Sequence, residues 1–233
     1  MIFINLPPDP IINCSFKNIY TPSDDSYLII DYLKKNITRD YFDGIKLRLV
    51  KKILDLGTGT GIIALFLLNL QAYYANFKAK IYASDILEEA IQCAKSNEKL
   101  NNFKGKIKFI HSNLFKSFPD NLKHSFDLII FNPPYLPSSD LIDKSVTKKK
   151  IDYSWNGGKS GNQVFLDFLE NVKVYLNFNL KDKCYIYYIC SSRTDLDNLK
   201  SKIYKKGFKN EILDKKHVFF EDIFLNRIEI KER

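Results

Sequence analysis

Two rhythms of apolar residues run along the chain. The stretch Tyr27-Leu28-Ile29-Ile30-Asp31-Tyr32-Leu33 places apolar residues at i, i+3 and i+4 behind a Ser23-Asp24 pair suited to an N-cap, which predicts a first helix of about three turns. Lys52 to Leu56 is instead a short apolar run of the kind a strand buried on both faces needs, and it stops at Gly57-Thr58-Gly59-Thr60-Gly61. An apolar helix over 62–70 follows, then a strand over 80–85, a helix over 88–100 with Ala90, Ile91, Ala94 and Leu100 on one side, and a strand over 107–111. A fourth strand, 126–131, runs into Asn132-Pro133-Pro134-Tyr135. Beyond a polar loop the pattern predicts a helix over 164–175, a strand over 184–190, a helix over 196–206 and two closing β segments, 217–220 and 223–230. Strands alternating with helices predict an α/β fold, a parallel sheet with helices on both faces; the short link between the last two segments predicts an antiparallel hairpin at one edge.

Composition adds limits. With 233 residues, 45% hydrophobic and 27% charged, the chain supplies one sizeable core, read as a single domain over 19–233 behind an N-terminal extension, 1–18. Its longest apolar runs are interrupted by Gly, Thr and Asn and fall short of the ~20 residues that cross a bilayer. Its first ten residues carry prolines and Asp9 where a signal peptide needs a basic start and an unbroken apolar stretch, so a cytoplasmic protein without a membrane anchor is expected. Cys14, Cys93, Cys184 and Cys190 show no C-x-x-C spacing, which predicts reduced thiols and no metal cluster. The net charge of +9 raises encounter rates with anionic partners such as RNA. Abundant Lys, Asn and Ile are equally what a compositional bias toward A/T codons produces, and Lys148-Lys149-Lys150 suits either a phosphate contact or a solvated loop.

In a sheet of this kind ligands bind beyond the carboxyl ends of the strands, and three unusual motifs fall there. In Asp55-Leu56-Gly57-Thr58-Gly59-Thr60-Gly61 the glycines allow a tight turn and close backbone approach, while the following helix offers free N–H groups. The spacing is neither the G-x-G-x-x-G of dinucleotide enzymes nor a phosphate loop, and an acid just ahead of the first Gly suits a ligand with a positive amino group. Asp85 ends the second strand, where a ribose presents its two hydroxyls; the competing reading is a helix N-cap. In Asn132-Pro133-Pro134-Tyr135 the prolines cannot continue a strand, so carbonyls are held toward the pocket. The Asn132 side-chain oxygen and the Pro133 carbonyl then accept both hydrogens of a planar –NH2 group, with Tyr135 as a flat wall. Such a nitrogen is a poor nucleophile because its lone pair is delocalised. Holding both its hydrogens orients it and favours positive charge developing on it beside an electrophilic methyl group.

In this order the three motifs resemble the class I S-adenosylmethionine-dependent methyltransferases that act on –NH2 groups, whose fold is a seven-stranded, mostly parallel Rossmann-like sheet. Within them, Tyr20-Thr21-Pro22-Ser23-Asp24-Asp25 and Trp155-Asn156-Gly157-Gly158-Lys159-Ser160-Gly161 are similar to the Tyr-x-Pro-x-x-Asp and Trp-x-Gly-Gly-x-x-Gly elements of the HemK-type release-factor glutamine N5-methyltransferases. The resemblance covers about residues 19–230, and with some 18 residues ahead of the Tyr20 segment it is to the short archaeal and eukaryotic form. It implies methyl transfer to the side-chain amide of the glutamine in the Gly-Gly-Gln motif of a class I translation termination factor, with S-adenosylhomocysteine as product. It further implies that Asp55, Gly57, Gly59 and Asp85 hold the methionine and ribose parts of the cofactor and that Ser26 closes over it. Asn113-Leu114 stands where the family commonly has Asp-Leu beside the adenine; an amide can still donate to and accept from adenine edges. Asn132, Pro133, Pro134 and Tyr135 would bind the substrate amide, Asn132 also touching the cofactor, and Asn132, Pro133 and Tyr135 would be catalytic. No general base and no metal is called for, and His111, His124 and His217 fall in no motif.

A small, often zinc-binding activator subunit that extends the sheet edge is the partner the resemblance implies. The strand over 107–111 is the expected edge, and Phe103, Ile107 and Phe109 either form an exposed patch there or face the chain's own core. Two other readings keep the fold: an N-methyltransferase of adenine or guanine in RNA or DNA, with a flipped base on Tyr135, and a scaffold that binds cofactor weakly.

Overall fold

A computed structural model describes residues 7–16, 19–138, 152–178 and 184–231; Lys148-Lys149-Lys150 lies outside them. The first helix, α1 (Asp24–Asn36), starts one residue after Ser23, whose backbone is extended but whose hydroxyl makes no capping bond. Asp24 and Asp25 occupy its first turn and Lys34 and Lys35 its last, each sign at the end of the helix dipole it stabilises. The strands β1 (Tyr41–Phe42) and β2 (Ile45–Lys46) form a small hairpin that the apolar pattern missed. Its turn is Asp43-Gly44, both at positive φ, and Asp43 Oδ2 accepts from the Tyr187 hydroxyl at 2.7 Å and from Arg227 at 2.6 Å, pinning the turn to the main sheet.

The main sheet contains β3 (Lys52–Leu56), β4 (Lys80–Asp85), β5 (Ile107–His111), β6 (Leu128–Phe131), β7 (Tyr185–Ser191), β8 (Phe208–Val218) and β9 (Glu221–Ile230). Its order is β5-β4-β3-β6-β7-β9-β8; only β9 runs against its neighbours, giving the expected seven-stranded, mostly parallel sheet with an antiparallel hairpin at one edge. The helices α2 (Ile62–Tyr73), α3 (Glu88–Leu100), α4 (Asp152–Trp155), α5 (Gln163–Asn171) and α6 (Leu196–Lys205) lie between strands. Alternate strand residues feed two cores: Ile53, Ile81, Ile130 and Tyr187 pack with α1 and α2, whereas Leu54, Ile129, Ile186 and Tyr188 pack with α5 and α6.

Some boundaries differ from the pattern. Ladder pairing in β6 begins at Leu128, not Phe126, because Asp127 turns its carboxylate to the Lys51 and Lys52 amides at 2.5 and 2.9 Å. The strand expected from 217 begins at Phe208: as the outermost strand, β8 is mostly polar and exposed, and a register shift between Ile212 and Asp214 breaks its alternation. At the opposite edge lies β5, as expected, and the open question about its side chains is resolved for the core. Ile107 is buried, while Phe103 and Phe109 are half-buried against the same core. All four cysteines are free thiols. No described helix is long and apolar enough to cross a membrane.

Candidate functional site

Between β3 and β6 the connections leave the sheet in opposite directions, opening a crevice at the carboxyl ends of the strands. The glycine loop lines one wall, with Gly57, Gly59 and Gly61 at φ of +69, +53 and +85, a region that disfavours any side chain. Gly61 also seats α2 against α3: a Cβ there would lie 3.0 Å from Ala94 Cβ. Thr58 N–H donates to the Ser84 carbonyl at 2.9 Å, tying the loop to β4.

Two buried carboxylates face this loop. Asp55 Oδ2 accepts from Thr58 Oγ1 at 2.6 Å and from Ala64 N–H, in the first turn of α2, at 3.1 Å. Burial pushes its pKa up to about 7 against the pull of those two bonds, and the Asp85 charge adds to the rise. Asp85 Oδ2 accepts from Gly59 N–H and Oδ1 from Leu87 N–H, both at 2.9 Å, and burial raises it as well. The N-cap of α3 is Leu87, so Asp85 is not the cap; it bridges the glycine loop and the β4–α3 turn, and four lone-pair sites leave it room to accept ribose hydroxyls.

The opposite wall is Asn132-Pro133-Pro134-Tyr135, where β6 ends. Asn132 Oδ1 is buried and has no hydrogen-bond partner. A native protein leaves few such atoms, and one lining a cavity is an acceptor waiting for a donor. The backbone carrying it is buttressed by the segment after α4. Leu136 N–H donates to the Trp155 carbonyl at 3.0 Å, Gly157 N–H to the Leu136 carbonyl at 2.9 Å and Ser138 N–H to the Gly158 carbonyl at 2.9 Å. A Cβ on Gly157 would stand 2.1 Å from the Gly161 carbonyl oxygen and 2.7 Å from that of Pro134; one on Gly161 would stand 2.5 Å from that of Tyr135. Only glycine lets these backbones meet.

Asp25 joins the two ends of the site. Its Oδ1 accepts from the Tyr20 hydroxyl at 2.8 Å and Ser26 N–H at 2.6 Å, and its Oδ2 from the Tyr135 hydroxyl at 3.2 Å. Burial, then the Asp25 charge, drives both tyrosine pKa values upward, so both stay protonated donors. Trp155 meets the Tyr20 ring edge-on, centroids 5.0 Å apart. Motif spacing had marked Tyr20, Asp25, Trp155 and the two glycines, but not their part in fixing Tyr135.

A cavity of about 340 Å³ collects these walls, and Ser26, Asp55, Gly57, Gly59, Asp85, Asn113, Leu114, Asn132, Pro133, Pro134 and Tyr135 all line it. Leu114 adopts φ +49, turning the chain after β5 toward the cavity, with Asn113 exposed beside it. The Ser26 hydroxyl points at Asp25 Oδ1, 3.2 Å away. His111, His124 and His217 are elsewhere, bonded respectively to the Ile86 carbonyl, tilted against the Phe178 ring and bonded to Asp222. Among the described residues no group of three or more His, Cys, Asp or Glu side chains is placed to hold a metal.

A seven-stranded sheet of this order with such a cavity at its switch point is that of the class I S-adenosylmethionine-dependent methyltransferases. Residues 50–225 match the family described as methyltransferase domain. A Methanocaldococcus jannaschii protein provisionally named a protein N5-glutamine methyltransferase is 31% identical over 207 residues, 89% of each chain. The release factor glutamine methyltransferase of Borreliella burgdorferi is 35% identical over 161 residues, 69% of this chain and 51% of its own, so this chain spans about half the length of that relative. In fold, the chain is similar to the solved E. cuniculi Mtq2–Trm112 complex, responsible for methylation of the eRF1 translation termination factor (TM-score 0.62, 20% identity, 92% of this chain and 99% of that one). This chain therefore belongs to the protein N5-glutamine methyltransferase family.

Proposed function

We propose that this chain methylates the side-chain amide nitrogen of the glutamine in the Gly-Gly-Gln motif of a class I translation termination factor, in the cytoplasm, with residues 19–233 as the catalytic domain and 1–18 as an extension. The observation that carries the reading is the buried, unpartnered Asn132 Oδ1 on a backbone held by two prolines and a glycine buttress.

S-adenosylmethionine supplies an electrophilic methyl group. The orphaned Asn132 oxygen and the glycine cradle fit that chemistry: Asp55 would hold the ammonium of the cofactor's methionine part, Gly57 and Gly59 would admit that part close to the backbone, Asp85 would accept from the ribose hydroxyls, Asn113 and Leu114 would hold the adenine, and Ser26 would close the site from the α1 side. Asn132 Oδ1 and the Pro133 carbonyl accept the two amide hydrogens, and Pro134 and Tyr135 shape the wall over the amide plane. With the methyl group's bond to sulfur breaking as its bond to nitrogen forms, S-adenosylhomocysteine would leave, and Asn132 Oδ1 and the Pro133 carbonyl would bind the nitrogen's hydrogens more tightly as positive charge grows there than in the ground state. The nitrogen then becomes acidic and sheds a proton to water, so no strong base is needed. Tyr135, donating to Asp25, holds its ring in place rather than moving protons.

The edge strand β5 is where we place a small zinc-binding activator, which would extend the sheet and cover what the core leaves exposed of the half-buried Phe103 and Phe109. Methyl transfer and cofactor titration on Asn132→Ala test the assignment. Transfer should fall by about 10² to 10³, the usual effect of removing one charge-stabilising contact, with cofactor affinity kept within a few-fold. Equal loss of affinity and rate would move Asn132 out of the substrate clamp.

A further inference from the structure

The β8–β9 hairpin turns through Phe219 and Phe220 alone, since Val218 pairs with Glu221. Two-residue turns of this kind require positive φ and draw Gly, Asn or Asp. Here Phe219 sits at φ +53, and its ring and that of Phe220 are 87% and 90% exposed, the highest values of any large apolar side chains among the described residues. A bulky residue in that conformation is strained, and neither ring contributes to the core. Folding thus gains nothing from either phenylalanine, and the turn would form better without them.

Their location supplies a use. Tyr188 pairs with Phe131 of β6 on one side and Asn226 of β9 on the other, and β9 runs backward, so its start lies at the same end of the sheet as Asn132. Phe220 stands six residues ahead of Asn226, so strand geometry puts the tip roughly 20 Å beyond the level where β6 ends and roughly 10 Å to its side. That reach suits a macromolecule bound over the cavity. The base of the hairpin is firmly mounted: Ser191 Oγ bonds Glu221, Asp222 N–H donates to Ser192 Oγ at 2.9 Å, and Lys216 Nζ lies 2.6 Å from Asp24 in the first turn of α1.

Charge distinguishes the partner. Lys216 is matched by Asp24, Lys215 and His217 approach Asp222 at 4.0 and 2.9 Å, and Glu221 is adjacent, so the tip carries no surplus of positive charge for a phosphate backbone. Two rigid aromatic side chains on an electrically balanced support are anchors for an apolar protein surface. We propose that Phe219 and Phe220 form a docking knuckle that seats in an apolar pocket of the protein acceptor, beside the segment carrying the target glutamine. The proposal rests on the acceptor being the protein named above.

The test is Phe219→Gly combined with Phe220→Asn, a pair the turn prefers, so the variant should melt at or above the wild-type temperature. Steady-state methylation is compared on the full-length termination factor and on a short peptide spanning its Gly-Gly-Gln, using enzyme with any subunit that copurifies. The knuckle predicts KM for the factor raised about tenfold or more, with kcat and both peptide parameters unchanged. An unchanged KM, or equal loss on factor and peptide, overturns it. So does loss confined to RNA methylation, which makes the tip a nucleic-acid contact, or a shift from dimer to monomer in sedimentation, which makes it a self-association surface. If the wild type labels neither factor nor peptide, the glutamine reading itself fails and the knuckle falls with it; labelled peptide with an unaltered factor KM sinks the knuckle alone.

Discussion

Replacing Asp55 by Asn should make the cofactor-free protein more stable at neutral pH while weakening cofactor binding. Both hydrogen bonds to Asp55, from Thr58 Oγ1 and Ala64 N–H, end on the same oxygen, so an amide oxygen in that place keeps both. What disappears is the titration. With a folded-state pKa of about 7 against an ordinary 3.8, the native state holds a proton that the unfolded chain has lost between those two values. Stability from this group is therefore full below about pH 4, falls as pH rises and is gone above about pH 7, a total of about 4 kcal/mol. Between pH 5 and pH 8 the variant should gain about 3 kcal/mol on the wild type, which for a chain of this size is a Tm gap widening by about 6 to 12 °C. Asp85 titrates in both proteins, so only its coupling to the Asp55 charge enters the difference. Thermal melts of both proteins across that range, without cofactor, are the assay; parallel Tm curves would refute the burial argument. The same ionisation predicts that wild-type cofactor affinity climbs through pH 7, as a carboxylate becomes available to the ammonium.

Other substitutions probe other parts of the site. Asp85→Ala should weaken cofactor binding at least about tenfold, reading as about 1.4 kcal/mol or more in a titration, while the substrate KM at saturating cofactor stays put. Gly161→Ala forces a Cβ against the Tyr135 carbonyl at positive φ, so kcat should drop about 10²-fold through a displaced clamp, with cofactor affinity retained; unaltered kcat would show that the buttress is dispensable. Tyr135→Phe removes one of the donors to Asp25 and should cost about 1 kcal/mol of stability in denaturant unfolding, less than the loss from Asp25→Ala, which strands two half-buried tyrosine hydroxyls. Phe168→Ala, at a fully buried ring stacked on Phe115 and tilted against Phe131 and Phe165, should destabilise by about 3 to 5 kcal/mol without changing the substrate KM.

How far these features could be read in the sequence depended on burial. Strands β3, β4, β5 and β7 are short, enclosed on both faces or bounded by turn residues, and their apolar runs gave boundaries within a residue. Strand β8 has one side open to solvent and a bulge, so period-two alternation was lost over most of its length. The β1–β2 hairpin is too short to carry a pattern; its signal was the Asp43-Gly44 turn and, in three dimensions, the reach of Asp43 to Arg227. Within the site, residues whose chemistry faces the ligand were legible because glycine, proline and acid types at strand ends have few structural uses. The role of Asp25 was not, since it depends on Tyr20 and Tyr135 both reaching its carboxylate, Tyr135 from 110 residues away. Asp85 could be read both as a helix cap and as a ligand acceptor, and only the positions of Gly59 and Leu87 separated the two. Likewise the glycines at 157 and 161 were visible as a motif, but what they permit is a backbone contact no spacing rule describes.

The most direct measurement of the central claim is transfer of labelled methyl groups from S-adenosylmethionine to a class I termination factor, wild type and with the Gly-Gly-Gln glutamine replaced by alanine, each with and without a small activator subunit. Label on the wild-type factor and none on the alanine form is the predicted result, with a rise on adding the activator if β5 is its seat. Equal label on both forms, or none on either under conditions where cofactor binds and RNA is methylated, would contradict the glutamine assignment.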